Sequence, residues 1–135
     1  MVKKFTLKKA ERLKRRKIIE QLFREGKGIN IAPLRATYKF YTAALDNPLQ
    51  AGFTVSSRQF KKAVDRNRIK RLLREAWRLQ KNILEEKCRE QNKQLAVFIL
   101  YIGKEMPAFA TVQEQMAVIL NKLIKKVNED GAAHT

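Results

Sequence analysis

The stretch DRNRIKRLLREAWR, residues 65–78, sets five arginines and one lysine against two acids. Arginine presents a planar fork of donors that matches two phosphate oxygens or the edge of a guanine, and lysine supplies a compact cation. Asn67, between Arg66 and Arg68, adds a directional donor and acceptor that lysine lacks. Read from spacing alone, the same asparagine also suits a capping or first-turn role. The charge extends beyond this stretch. The chain of 135 residues carries 30 Lys and Arg against 13 Asp and Glu, a net +17. Residues 1–28 contribute +8 and residues 58–81 another +8, which leaves +1 for everything else. If the two segments meet in space they make one strong positive field, and nucleic acid is the usual partner of such a field. A merely solvated basic surface would carry the self-repulsion with nothing to offset it.

The residues needed to cut a phosphodiester are missing. The one histidine, His134, stands next to the last residue. Metal-assisted hydrolysis needs clustered carboxylates, and the acids here are scattered among lysines and arginines. Asp65 reads as a cap-type group and Glu75 as a helix-surface partner. There is no Cys/His metal spacing and no Gly-rich phosphate loop, so an autonomous nuclease is not expected. Aromatic side chains offer a different chemistry, the stacking of unpaired bases. Tyr38, Phe40 and Tyr41, beside Phe23, are the candidates. Core packing competes for Phe23, Phe40 and Phe53. Tyr38, with Arg35 and Lys39, is the better candidate for surface use. Trp77 falls on an apolar helix face and reads as core.

Those residues need elements to hold them. At this length one domain with one modest core is expected, and 44% hydrophobic residues suffice to fold it. Residues 1–14 read as an extended basic arm. A short helix is expected from Arg16 to Glu25, with Ile18, Ile19, Leu22 and Phe23 on one face and Gly26 as its stop. LRATYKFY (34–41) alternates, with Leu34, Ala36, Tyr38 and Phe40 on one side and Arg35, Thr37, Lys39 and Tyr41 on the other. AGFTVSS (51–57) alternates again after an Asp-Asn-Pro turn, and the two strands are expected to pair as an antiparallel hairpin. In the basic helix, Ile69, Leu72, Leu73, Ala76, Trp77, Gln80, Ile83 and Leu84 share one side. Asn67, Lys70, Arg71, Arg74, Arg78 and Lys81 share the other. EEKCREQNKQ (85–94) reads as a polar connection with an exposed Cys88, and LAVFILYI (95–102) as a strand buried on both faces. Thr111 to Glu114 reads as a capping box. It opens a helix whose core positions are Val112, Met116, Ile119, Leu120, Leu123 and Val127, with Lys125 and Lys126 suited to the C-terminal dipole and a frayed tail over 130–135. The order α-β-β-α-β-α gives an α/β (α+β) sandwich with a small mixed sheet, whose β-α-β crossover is right-handed by default. One cysteine excludes an internal disulfide framework. No run of about 18 apolar residues is present, and the basic N-terminus lacks the apolar core of a secretory signal. A cytoplasmic protein is expected, with no membrane partner.

GFTVSSRQFKKAVDRNRIKRLLREAWR closely resembles the central segment of the bacterial ribonuclease P protein component family. That family has a Gly-hydrophobic-Thr/Ser-Val strand, a short basic linker and an Arg-Asn-Arg motif within RNRIKRLLRE. AERLKRRKIIEQLFREGK resembles the family's start, and the element order agrees over nearly the whole chain. The resemblance implies an RNA subunit that holds the active site and its Mg2+ ions, with no obligate protein partner. It also implies a protein that binds this catalytic RNA and holds the 5′ leader of precursor tRNA between sheet and helices, and a left-handed crossover in place of the default hand. By position it assigns Arg12, Arg66, Asn67, Arg68, Lys70, Arg71 and Arg74, with Arg78 beside them, to the RNA subunit. It assigns Phe23 and Tyr38, flanked by Arg35, Lys39 and Ile19, to the leader cleft. Ile19 stands where relatives often have a second aromatic, and Lys104 follows Gly103 where some have an arginine.

Two other readings compete. A ribosomal or tRNA-binding structural protein would share the charge without needing a leader cleft. A DNA-binding module would lay the basic helix in a major groove, but this helix is wedged between two predicted sheet strands and nothing points to a symmetric dimer.

Overall fold

The computed structural model describes residues 11–42, 45 and 47–133. Most of the basic arm and the histidine lie outside them. The described chain runs α1 (Arg16–Glu25), β1 (Lys27–Ile31), β2 (Leu34–Tyr41), β3 (Leu49–Val55), α2 (Ala63–Gln80), α3 (Asn82–Glu90), β4 (Gln94–Tyr101) and α4 (Phe109–Ala133). The four strands form one sheet in the order β1-β2-β4-β3. The expected hairpin of residues 34–41 with 51–57 does not form. β4 lies between them, antiparallel to β2 and parallel to β3. The physical reason is burial. LAVFILY is the most apolar segment, and the centre of a sheet is where both strand neighbours and both faces exclude water. β2 makes its hairpin with β1 instead, a strand the sequence hides because KGINI offers only Ile29 and Ile31 in alternation at an edge.

The sheet is covered on both faces, unequally. Leu34, Ala36, Tyr38, Val97, Ile99 and Tyr101 point to the larger core, where they meet Ile69, Leu73, Ala76 and Trp77 of α2 and Met116, Ile119 and Leu123 of α4. Opposite, Leu13, Ile18, Leu22, Leu45 and Ala96 form a smaller cluster with Ile19, Tyr41 and Phe98 at its margin. α1, with Leu13 and Leu45 beside it, covers only part of this second face, so Phe98 and Leu100 of β4 stay half-buried and that strand is not sealed on both sides. Gly26 ends α1 with ordinary extended backbone. A Cβ there would collide with the Leu22 carbonyl and stand 2.8 Å from the Thr37 methyl and 3.0 Å from the Tyr38 carbonyl. Close approach, not left-handed backbone, requires the glycine.

Residues 82–90 are helix, not a connection. α2 and α3 are nearly continuous through Lys81, whose backbone stays in the right-handed helical region. α3 is polar by composition, yet Leu84 and Cys88, one turn apart, are buried and the i,i+4 pair Arg89–Glu85 and the i,i+3 pair Lys87–Glu90 support it. Asn92 closes it at φ 52°, the left-handed position that asparagine tolerates. Cys88 is therefore fully buried rather than exposed, and burial, with a smaller contribution from Glu85, pushes its thiol up to about 12. α4 begins at Phe109, so Thr111 lies inside its first turn instead of capping it. The helix runs on to Ala133, past the point where fraying was expected and well beyond Lys125 and Lys126. All six of its expected core positions are buried.

Lys81 is the sharpest departure from the expected cationic face. Its side chain is 4% exposed, with Nζ 2.9 Å from Glu11 and 3.3 Å from Glu85. Glu11 belongs to the arm before α1, whose next residues pass β3: the Leu13 amide donates to the Ala51 carbonyl at 2.9 Å and Arg12 bridges in parallel to Ala51.

Two outcomes follow for unfolding experiments. Lys81→Ala takes the ammonium away from the buried Glu11 carboxylate, while Glu85 keeps Arg89, and should lower the unfolding free energy in urea by about 3–5 kcal/mol. For Cys88 the folded state keeps its proton up to about pH 12, while the unfolded thiol loses it near 9. The thiol's contribution is thus complete below pH 9 and falls above it, by up to about 1.4 kcal/mol per pH unit. The stability advantage of the natural protein over Cys88→Ala should shrink steadily as pH is raised from 9 to 11, and a constant advantage would contradict the buried placement.

Candidate nucleic-acid interface

The outward side of α2 is built by its inward side. Ile69, Leu73, Ala76 and Trp77 bury against the sheet and α4, and this fixes the helix rotation so that Asn67, Arg68, Arg71 and Arg74 face solvent. Arg68, Lys70, Arg71 and Arg74 make no ion pair among the described residues. The other cations of the segment are committed. Arg66 Nη1 donates to the carbonyls of Phe60 at 2.8 Å and Lys61 at 2.7 Å, which ties α2 to the loop leaving β3. Phe60 in turn packs its ring 6.0 Å from Tyr101. Arg78 forms a two-point fork with Glu75, and that contact holds the Glu75 carboxyl below its usual range. Lys81 is buried. Asn67 sits in the second turn, since α2 begins at Ala63, and is not a cap.

On the other face of the sheet α1 covers the strands only in part, and the half-covered margin beside it is the cleft. Phe23 is 56% exposed and stands edge-on to Phe98 with ring centroids 5.2 Å apart. Phe98 covers Gly52, where a Cβ would come within 2.7 Å of its ring. Strand parity adds Arg35, Thr37, Lys39 and Tyr41 to this side. The Tyr41 hydroxyl donates to Gln21 of α1 at 3.1 Å, Lys39 Nζ lies 5.5 Å from the Tyr41 ring centroid, and Arg35 Nε donates to Asn30 at 3.0 Å. Ile19 is half-buried at the cleft's inner margin, and Arg12 is exposed beside β3. Aromatic rings beside exposed cations are what an unpaired nucleotide needs: a stacking surface and a phosphate partner.

Tyr38 does not join them. It is 4% exposed and faces the larger core with Leu34 and Ala36, and burial raises its phenol above the usual range. The two aromatics expected to share one cleft thus lie on opposite faces of the sheet. Tyr41 takes the place assigned to Tyr38, and Phe98 joins it. The signal was present: Tyr41 alternates in phase with Arg35 and Lys39, and Tyr38 does not.

A four-stranded sheet with a cationic helix on one face and an aromatic, basic cleft on the other defines a small RNA-binding α/β protein. The chain belongs to the Ribonuclease P protein family, whose profile matches residues 7–124, and members of that family are the protein component of the endoribonuclease that matures tRNA 5′ ends. The chain is 36% identical over 126 residues to the ribonuclease P protein component of Porphyromonas gingivalis, covering 91% of this chain and 90% of that one. It is 30% identical over 128 residues to the same component from Chlorobium phaeobacteroides, covering 87% and 88%. The RNase P protein of Thermotoga maritima, 26% identical, superposes with a TM-score of 0.62 over 83% of this chain and 96% of that one. The Staphylococcus aureus RNase P protein shares the fold, with a TM-score of 0.66 at 18% identity over 84% and 94%.

The committed and free arginines should separate by stability. Arg66→Ala removes two hydrogen bonds from a charged donor and should cost about 1–3 kcal/mol in urea unfolding. Arg68→Ala and Arg71→Ala should stay within about 0.5 kcal/mol of the natural protein.

Proposed function

We propose that this protein binds the catalytic RNA of ribonuclease P through the outward side of α2 and holds the 5′ leader of precursor tRNA in the cleft under α1. The observation that carries this reading is the opposed placement of the two surfaces. α2 packs on one face of the sheet and α1 on the other, so a folded RNA and a single strand can be held at once. Arg68, Lys70, Arg71 and Arg74 contact phosphates of the RNA subunit, with Asn67 as the directional group among them. Arg66 acts by fixing the loop, and Arg12 lies where the arm meets the edge of the sheet. In the cleft, leader bases lie against Phe23 and Phe98 while Arg35 and Lys39 take phosphates.

The magnesium chemistry is assigned to the RNA subunit, as the family resemblance implies. The protein's part is binding and orientation, which raises the share of correctly placed precursor without touching the bond that breaks. A cytoplasmic location goes with these partners. Among the described residues no helix is long and apolar enough to cross a membrane.

Cleavage of precursor tRNA at low magnesium, with bacterial ribonuclease P RNA in the presence and absence of this protein, tests the reading. Cleavage at the mature 5′ end should need both components, and cleavage by the protein alone would overturn it. Arg71→Ala should weaken binding to the RNA subunit and reduce the slope of log K against log salt by about 0.7–0.9. Phe23→Ala should weaken binding of leader-bearing precursor by about 1–3 kcal/mol and leave mature tRNA unchanged. Equal losses on the two RNAs would sink the two-surface arrangement.

A further inference from the structure

A second basic hollow lies on the opposite side of the β1–β2 hairpin from the cleft. The second half of α4 faces the hairpin across two adjoining cavities of about 400 and 420 Å³. Lys126 and Glu129 line both. Lys27 and Lys39 complete the basic lining of the first, and Lys122 and Lys125 that of the second. Five lysines thus face two glutamates, Glu25 and Glu129. The Lys126–Glu129 pair, at 3.5 Å with both side chains about half exposed or more, contributes little against solvent. Lys122 and Lys125 make no ion pair among the described residues. The wall of the first cavity is aromatic, with half-buried Phe40 edge-on to Tyr38 at 6.1 Å.

None of this excess positive charge is used by the core or by the α2 surface. Lysines without arginine are point charges, suited to a phosphate backbone and not to reading a base edge. Lys39 joins the two sides of the hairpin. Its ammonium lies near the Tyr41 ring on the cleft side, yet it also lines the hollow.

We propose that this hollow binds the phosphate backbone of single-stranded RNA, extending around Lys39 the path that begins in the cleft under α1. The extension rests on the reading of that cleft as a single-strand site. It is independent of sequence and acts on strands long enough to leave the cleft.

The test uses the full chain and two fluorescein-labelled single-stranded RNAs, of about 5 and about 15 nucleotides. Anisotropy titrations between about 50 and 200 mM salt compare the natural protein with K122Q/K125Q/K126Q. A control, K87Q/R89Q/K93Q, removes the same charge from α3 and the turn after it. All six side chains lie outside the core, so both variants should fold, and thermal melts check this. The hollow variant should lose about tenfold or more in affinity for the longer RNA. Its salt slope should fall by about 2, near 0.7 for each of three phosphate contacts. The shorter RNA should bind it within about twofold of the natural protein, and the control should do so on both RNAs. Equal losses on both lengths, or equal losses in the control, would overturn the proposal. The cleft is judged separately: if Phe23→Ala leaves the shorter RNA bound as before, the cleft reading fails, whatever the charge variants do.

Discussion

A buried lysine holds the structure's two halves together. Lys81 sits at the joint between α2 and α3 with Glu11 and Glu85 against its ammonium. A charge taken out of water is tolerable only with partners close by, and here one partner comes from the next helix and the other from the arm before α1. Glu11 is followed at once by the residues that lie along β3 and then by α1. The position of α1, and with it the cleft wall that carries Phe23, is thus tied to a contact made on the far layer of the fold. In a chain with so large a cationic excess, two of the few acids are placed where they compensate a cation inside.

The same economy of acids explains the surface. Glu75 engages Arg78, and Glu85 serves Lys81 and Arg89. Carbonyls of the loop before α2 engage Arg66. What remains along α2 is a short group of cations without internal partners, held by a helix whose other side is locked into the core. Because that helix cannot rotate without exposing Trp77 and Leu73, its cations are presented in one fixed arrangement. The cleft on the opposite face is positioned by packing as well: Phe98 stands over a glycine, and the Phe23 ring meets it edge-on.

Much of this was legible beforehand, for identifiable reasons. α1, β2, the core side of the basic helix from Ile69 to Trp77 and the six core positions of α4 are strongly periodic, and periodicity reports which side of an element leaves water, although Phe23 and Ile83, in phase with those sides, are exposed. Elements without it escaped. β1 has two isoleucines at an edge. α3 is polar around most of its circumference and exists because Leu84 and Cys88 find a place against the rest of the core. Alternation shows that a strand is half-buried and not which strand lies beside it, so 34–41 and 51–57 alternate alike without pairing to each other. Tyr38 lies with the core because strand parity groups it with Leu34 and Ala36, whereas its grouping with Arg35 and Lys39 for surface use rests on nearness along the chain, which alternation separates onto opposite faces.

The sequence by itself determined the partner class and the main elements. Net charge, its concentration in two segments and the Arg-Asn-Arg stretch are properties of composition and local spacing, and they survive any rearrangement of the chain. Tertiary structure decided how deeply the cations are committed. Arg66, Arg78 and Lys81 resemble Arg68, Arg71 and Arg74 in the sequence. Arg78 has Glu75 one turn back in its own helix, a pairing that local spacing already offers, whereas Arg66 is held by carbonyls of the loop before α2 and Lys81 is buried against Glu85 and, from the arm, Glu11. Pairing depends on distance in space, and for the contacts that matter most here, Glu11 with Lys81 and Phe23 with Phe98, the partners are some seventy residues apart along the chain.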